Sequence, residues 1–248
     1  MKKGHIAAAS LLIAFLFLSA CTSKAVETKT EISTEPESAQ TAEPDAIAKG
    51  CFTDDPDAIE RAAGSVVKLE VYDAQNQKIG TGSGFCAFDS SVLITAAHVI
   101  VNMDHMIVTC DNGESFRLEA ATDGDEDSDV AWFRLPEGTE LIPLPVSSGM
   151  PRRGERILAI GSQFGVVNLV TTGNIAGVWE SQGIGWLLFT APVSSGSSGG
   201  PILNDNGEVV GVVSSTYDKG QNLNVAAPIE EIQNILSTDN GMEVTENE

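Results

Sequence analysis

Residues 196–213, GSSGGPILNDNGEVVGVV, carry the two features from which the rest of this chain is interpreted. The first is a serine-containing loop over 196–201, whose glycines lack a Cβ atom and therefore let the backbone turn sharply and approach another molecule closely. The second is a hairpin signal, because Asn206-Gly207 lies between two apolar runs and supplies the positive φ angles that a tight turn needs. The expected local structure is a tight loop followed at once by antiparallel strands.

Strand-like patterns recur along the chain and predict an all-β protein. Residues 65–72 alternate between apolar and polar side chains, as in a strand with one buried face. A second Asn-Gly turn, at 112–113, separates two further β-rich runs. The remaining β-rich runs are 130–135, 156–160, 166–172 and 186–190. Helical patterns are confined to 57–63 and to 229–236, which Pro228 opens, and many short strands joined by turns favour a sandwich or a barrel.

The N-terminal segment has the pattern of an export signal. An apolar run over 6–18 follows a positively charged start and is shorter than the roughly 20 residues that a membrane helix needs, so residues 1–20 are interpreted as a signal peptide. The sequence Leu18-Ser19-Ala20-Cys21 resembles the bacterial lipobox, in which cleavage precedes a lipid-carrying cysteine; the alternative is an ordinary signal peptide with an incidental Cys21. Residues 21–50, rich in Ser, Thr, Glu, Pro and Ala, predict a disordered tether. The expectation is an exported domain, anchored to a bacterial membrane by lipid and facing away from the cytoplasm.

Charge and cysteine content limit the partners and the cross-links. A formal net charge of −21 argues against nucleic-acid binding, which depends on neutralising phosphates with Lys and Arg. Solubility is the simplest reason for such a charge. Beyond Cys21, the cysteines Cys51, Cys86 and Cys110 permit at most one intramolecular disulfide, and the sequence does not decide which pair forms.

Two motifs that suggest a bound ion or nucleotide do not fit on inspection. The acidic stretch from residue 123 has Ser128 and Arg134 where a calcium-binding EF-hand loop requires Gly and Glu. The glycine-rich stretch 80–84 lacks the Gly-Lys-Ser/Thr ending of a phosphate-binding loop. No metal, nucleotide or other cofactor is therefore expected.

Three side chains stand out as candidates for acyl-transfer chemistry, which needs a nucleophile, a base, a group that orients the base and donors for an oxyanion. The base is His98, because the mature chain has only one other histidine, His105, interpreted as an exposed loop residue. Ser198 is the candidate nucleophile and Asp129 the orienting carboxylate. Their competitors are close neighbours in the sequence: Ser194, Ser195 and Ser197 for the serine, and Asp123, Asp125 and Asp127 for the aspartate.

These side chains lie in motifs that resemble those of trypsin-like serine proteases, and more particularly of the bacterial high-temperature-requirement (Deg-type) branch. The motifs are Leu93-Ile94-Thr95-Ala96-Ala97-His98-Val99, Asp129-Val130-Ala131-Trp132 and Gly196-Ser197-Ser198-Gly199-Gly200-Pro201. Their order along the chain is that of the chymotrypsin template. Flanking matches are Gly82-Ser83-Gly84-Phe85, Ile160-Gly161-Ser162-Gln163-Phe164-Gly165 and Thr171-Thr172-Gly173-Asn174-Ile175. The resemblance covers about residues 65–232.

The resemblance implies two packed six-stranded antiparallel Greek-key barrels of the chymotrypsin type, with a short C-terminal helix. The first barrel, with the histidine and aspartate, is expected over 51–145. The second barrel, with the serine and the helix, is expected over 146–238, and residues 239–248 form a tail. Only twelve residues follow Leu236, too few for the PDZ domain of many Deg-type relatives, so no PDZ domain is expected.

It also implies roles. Ser198 attacks the scissile carbonyl, His98 moves the proton, Asp129 orients His98, and the N–H groups of Gly196 and Ser198 bind the oxyanion. The residues expected to bind the substrate are Pro192, Val193, Ser214, Ser215, Thr216 and Ala226, around a shallow apolar pocket for Val, Ala, Ile or Leu. The prediction is a serine endopeptidase acting on proteins or peptides outside the cytoplasm. The alternative is a silent protease-like module that binds peptides by strand addition.

Overall fold

The structure is a computed structural model that describes residues 52–119, 121–139, 141–216 and 222–238. The expected signal peptide, Cys21, the tether, Cys51 and the tail from residue 239 lie outside the described residues. In the described part, no helix is both long and apolar enough to cross a membrane. The two α-helices are α1, Pro56–Ala63, and α2, Ile229–Thr238.

Seven strands form the first sheet. They are β1 (Val66–Tyr72), β2 (Lys78–Cys86), β3 (Val92–Thr95), β4 (His105–Thr109), β5 (Ser115–Leu118), β6 (Asp123–Asp125) and β7 (Val130–Arg134). Their order across the sheet is β5-β4-β1-β2-β3-β7-β6, and the pairs are antiparallel. The predicted alternation of β1 is confirmed, since Val67, Leu69 and Val71 are all fully buried. One face of this strand therefore packs on the core.

Six strands form the second sheet, which closes into a barrel. They are β8 (Arg156–Gly161), β9 (Leu169–Ser181), β10 (Ile184–Phe189), β11 (Pro201–Leu203), β12 (Val209–Thr216) and β13 (Asn224–Pro228). Their order around the barrel is β10-β13-β12-β11-β8-β9. The predicted chymotrypsin-like class, with a six-stranded second barrel and a C-terminal helix, is confirmed.

The first barrel differs from the prediction in strand number and closure. Its extra strand is β6, at the start of the acidic stretch that does not fit a calcium-binding loop. This strand pairs through its backbone with β7, with Gly124 opposite Ala131. The small side chains allow this approach, because a Cβ on Gly124 would lie 3.1 Å from that of Ala131. Within the described residues no pairing joins the edge strands β5 and β6, so the sheet stays open.

The local signals predict the turns and helix starts well. Both Asn-Gly hairpins form, with φ of +85° at Gly113 and +78° at Gly207. Helix α1 begins at Pro56, where the side chain of Asp55 accepts hydrogen bonds from the first-turn N–H groups. Helix α2 begins directly after Pro228, as predicted.

One apolar cluster is shared between the two sheets and fixes their relative placement. It contains Phe85 and Trp132 from the first sheet, Leu158 and Val212 from the second, and Ile232 from α2, all buried. Because packed interiors resist displacement, loops at the junction of the sheets are held in a defined geometry. The junction is where the candidate site lies.

Candidate active site

The candidate base lies at the end of a fully buried strand. After β3, the chain forms a 3-10 turn over Ala97–Ile100, with His98 in it. The burial of β3 fixes the turn, whereas the His98 side chain is 47% exposed. A ring in this position is accessible to solvent at the junction of the two sheets, which is called the cleft below.

Asp129 lies directly before β7 and faces His98. Its backbone has φ of +55°, a left-handed conformation that is uncommon outside glycine. Its Oδ1 accepts from the His98 backbone N–H at 2.9 Å, and its carboxylate oxygens lie 2.9 and 2.8 Å from the His98 ring Nδ1. The contacts of Nδ1 with the carboxylate orient the ring, so that its other nitrogen is available to the cleft.

Ser214 completes the surroundings of Asp129 from the second barrel. Its hydroxyl donates to Asp129 Oδ2 at 2.5 Å, and its backbone carbonyl accepts from the hydroxyl of Ser198 at 3.1 Å. The register of β12 against β13 shifts between Val213 and Ser215, which lets Ser214 serve both neighbours. The sequence suggested Ser214 only as a wall of the substrate pocket and missed this link.

The pKa values of His98 and Asp129 are shifted in opposite directions. The hydrogen bond to Asp129 raises the pKa of His98 above its ordinary value, against the opposing effect of burial. Burial alone raises the pKa of Asp129, but the hydrogen bonds from the His98 ring, the Ser214 hydroxyl and the His98 backbone N–H outweigh it, so the pKa of Asp129 is lowered. Asp129 is thus held as a carboxylate that favours a protonated His98.

The hydroxyl of Ser198 lies in the same cleft but is not hydrogen-bonded to His98 in the described residues. It points to Ser214 instead. The structure therefore brings together His98, Asp129, Ser214 and Ser198, with the serine in a rotamer that does not engage the ring. The competing serine at position 197 is buried, and its hydroxyl accepts from the Ser194 N–H.

The backbone around Ser198 presents two unused donors. Gly196 has φ of +99°, and a Cβ there would lie 2.3 Å from the Ser162 carbonyl oxygen, so only glycine fits. Across the described part of the chain, the N–H groups of Gly196 and Ser198 donate to no protein acceptor. Two such N–H groups flanking a serine suit a developing oxyanion.

The expected pocket residues lie in different environments. Pro192 and Ser215 are exposed and Val193 is half-buried, whereas Ala226 is fully buried in the apolar cluster of the second barrel. Thr216 ends β12, with its backbone opposite that of Asn224 in β13. The sequence gave no role to Asn224, which is 3% exposed and donates from Nδ2 to the Ala191 carbonyl at 2.8 Å. A buried amide therefore supports the segment leading to Pro192.

The interpretation of His105 as an exposed loop residue is wrong. His105 is 4% exposed, begins β4 and stacks on Tyr72, with the ring centroids 5.1 Å apart. Its Nδ1 lies 2.9 Å from a carboxylate oxygen of Asp104. The burial follows from the pairing of β1 with β4, which places Tyr72 opposite His105 and is not visible in the local sequence.

Other chemistry-bearing groups lie apart from this cleft. Cys86 and Cys110 are buried free thiols, and burial, aided by the charge of Asp89, raises the pKa of Cys86 to about 12. A thiol with so high a pKa is a poor nucleophile. Among the described residues, no group of three or more His, Cys, Asp or Glu side chains is arranged to hold a metal ion.

Comparison with known proteins identifies the family of the chain. A family model described as a trypsin-like peptidase domain matches residues 82–212, just over half of the chain. Serine protease HTRA1A of Danio rerio is 32% identical over 197 residues, and the mitochondrial serine protease HTRA2 of Drosophila erecta is 30% identical over 198 residues. Each match covers 73% of this chain, but only 40% and 46% of the respective relatives, so the chain spans less than half of their length.

Solved structures give the same fold. The serine endoprotease from Yersinia pestis matches with a TM-score of 0.64 and 25% identity, over 73% of this chain and 64% of that one. The HtrA-type protease AlgW, solved with a tripeptide, matches with a TM-score of 0.65 and 24% identity, over 73% of this chain and 61% of that one. From the family model and the shared fold, the chain belongs to the trypsin-like peptidase family.

Proposed function

We propose that this chain is a serine endopeptidase that hydrolyses peptide bonds through Ser198, His98 and Asp129 and an acyl-enzyme intermediate. The observation that carries the proposal is the set of contacts across the junction of the barrels. Asp129 holds the ring of His98 at 2.8 Å from one side, and Ser214 links that carboxylate to the hydroxyl of Ser198. A peptide-binding module has no need for this arrangement.

The proposed reaction starts with a proton transfer. His98 takes the hydroxyl proton of Ser198 as the oxygen attacks the scissile carbonyl, and the N–H groups of Gly196 and Ser198 stabilise the resulting oxyanion. His98 then gives the proton to the leaving amine, and water hydrolyses the acyl-enzyme by the same route. Asp129 stays ionised throughout and stabilises the protonated His98.

One local change has to precede the attack. In the structure the hydroxyl of Ser198 donates to the Ser214 carbonyl, 3.1 Å away. Rotation about the Cα–Cβ bond into another staggered position redirects the hydroxyl without moving the backbone. Catalytic hydrogen bonds that are absent before substrate binds often form in the substrate complex. We expect bound substrate to select the rotamer that engages His98.

The test compares the full chain with Ser198→Ala, using casein hydrolysis and labelling by a fluorophosphonate that reacts with activated serines. We expect labelling and hydrolysis by the wild type, and a loss on the order of a millionfold in turnover for Ser198→Ala. Ser181→Ala, on the hairpin between β9 and β10, is a matched control that removes a hydroxyl elsewhere and should behave as the wild type. An unlabelled, inactive wild type would instead support the strand-addition module.

We further propose a preference for Val, Ala, Ile or Leu at P1, the residue before the scissile bond. Neither Pro192 nor Val193 offers a negative charge to a basic side chain. Ala226 and Asn224 are buried and uncharged, so they offer none either. A peptide library with P1 varied measures this directly. Preferential cleavage after Arg or Lys would contradict the proposal.

We propose exported proteins as the substrates and a bacterial membrane as the site of action. The support is the lipobox-like sequence ending in Cys21 and the Ser- and Glu-rich tether that follows it. A cysteine modified with more than one acyl chain gives stable anchoring, whereas one chain is marginal. The enzyme would then act close to the membrane surface.

A further inference from the structure

Ser83, in the middle of β2, contacts the loop of Ser198 from the opposite barrel. Its side chain is fully buried. Its hydroxyl donates to the Gly196 carbonyl at 2.6 Å and accepts from the Ser162 N–H at 2.8 Å. Its backbone N–H donates to the Ser198 carbonyl at 2.8 Å. One residue thus binds the nucleophile loop at two points and the end of β8 at a third.

Four successive carbonyls of the loop, from Ser195 to Ser198, accept hydrogen bonds. Ser83 binds the second and the fourth, and other residues bind the first and the third. The Ser195 carbonyl accepts from the Phe164 N–H at 3.1 Å, and the Ser197 carbonyl accepts from the Gly200 N–H at 2.9 Å. Because a trans peptide is planar, fixing its C=O fixes the direction of the N–H on the following residue. These two bonds aim the N–H groups of Gly196 and Ser198, and Ser83 holds the peptide planes between and after them.

The packing around Ser83 leaves little room for the loop to relax. A Cβ on Gly199 would lie 2.2 Å from the Ser83 carbonyl oxygen, and one on Gly161 would lie 3.1 Å from the Ser83 hydroxyl. The Ser83 carbonyl is itself held by the Thr95 hydroxyl at 2.7 Å. Thr95 ends β3, close to His98 in the sequence, so the base and the oxyanion loop share one support.

We propose that Ser83 is a positioning residue that keeps the oxyanion-binding N–H groups in the geometry required by the transition state. The inference rests on the proposed function. Ser83 makes no hydrogen bond to Ser198 Oγ in the described residues, and it acts through the Gly196 and Ser198 carbonyls. Loss of its hydroxyl leaves the Gly196 carbonyl and the Ser162 N–H, both buried, without that partner, and frees the peptide between Gly196 and Ser197 to rotate.

The experiment measures Ser83→Ala in the full chain with a chromogenic peptide ester. We expect kcat per fluorophosphonate-titrated site to fall by about 10- to 100-fold, somewhat less than the loss of a whole oxyanion donor, with KM within about threefold of the wild type. A peptide boronic acid, which places an anionic oxygen in the same hole, should lose affinity by the same factor as kcat/KM. The apparent pKa of His98 in the kcat/KM profile should not move.

The controls separate positioning from folding. Ser65→Ala removes the hydroxyl of another buried serine, directly before β1, and should leave kcat unchanged, because that hydroxyl makes no hydrogen bond in the described residues. If Ser83→Ala does not fold, Ser83→Cys, with a weaker donor, should show the same matched losses to a smaller extent.

Two results would overturn the inference: kcat per titrated site within twofold of the wild type in a folded variant without the hydroxyl, or a loss of kcat/KM with unchanged boronic acid affinity. Failure of the proposed function has a different signature, because the wild type itself would then neither hydrolyse the ester nor react with the fluorophosphonate.

Discussion

At the scale of single residues, Asp129 is the most constrained group in the cleft. It combines a left-handed backbone with a carboxylate that accepts from the His98 ring, the His98 backbone and Ser214. A left-handed conformation in a residue with a Cβ carries strain, and such strain persists only where the surroundings hold it. Here the strained backbone conformation places the carboxylate of Asp129 in a fixed position against the imidazole of His98.

The first prediction follows from the raised pKa of His98. A general base must be neutral, so the rate of the wild type should rise with pH through a pKa above the ordinary histidine value of about 6.5. Asp129→Asn removes the group that raises the pKa, so the acidic limb of the kcat/KM profile should move to lower pH. The rate at its plateau should fall by on the order of 10⁴-fold, because the amide favours the wrong ring tautomer.

A matched variant distinguishes the effect of the hydrogen bond between Asp129 and His98 from the effect of any nearby negative charge on the pKa of His98. Asp127→Asn makes the same change on an exposed side chain of the same loop and should shift the limb little, because exposed charges are screened. Equal shifts in both variants would mean that the contact between Asp129 and His98 does not set the pKa.

At the scale of elements, the sequence predicts a strand or turn where residues close in the chain determine it. It does not predict a strand whose formation depends on contacts with distant segments. The alternating β1 and the Asn-Gly hairpins follow from period and turn residues alone. The strand β2, Lys78–Cys86, contains glycines that are poor strand formers, and its pairing is explained only by its neighbours. A Cβ on Gly82 would lie 2.6 Å from a methyl carbon of Val99, and one on Gly84 would lie 2.9 Å from the Ile94 carbonyl oxygen.

The same limit applies to the candidate site. Ser198, His98 and Asp129 stand in motifs with recognisable flanks, so the sequence is sufficient to nominate them. The sequence predicts neither contact of the two supporting serines, although Ser83 stands in a flanking match and Ser214 is an expected substrate-binding residue. Ser214 contacts Asp129 across 85 residues of chain, and Ser83 contacts Gly196 across 113. Their roles arise from the packing of one barrel on the other, which no local pattern encodes.

At the scale of the whole molecule, the cleft exists only when both barrels are in place. The first barrel supplies His98 and Asp129, and the second supplies Ser198 and Ser214. The shared apolar cluster, with α2 packed on it through Ile232, holds these halves together. The order of the motifs in the sequence predicts that both halves are needed, whereas the distances between them come from the packing.

The final prediction concerns how the chain is held at a membrane. With a formal net charge of −21 the protein gains no attraction from anionic lipid, which recruits clusters of Lys and Arg. We expect attachment to depend instead on lipid at Cys21, the residue that ends the lipobox-like motif. In bacteria fed an alkyne fatty acid, the wild type should become labelled and Cys21→Ser should not. Cys51→Ser, which removes a cysteine outside the lipobox-like motif, should be labelled like the wild type. Equal labelling of Cys21→Ser and the wild type would contradict the lipid anchor, while leaving the proposed chemistry of the cleft untouched, because no group of the cleft lies in the tether.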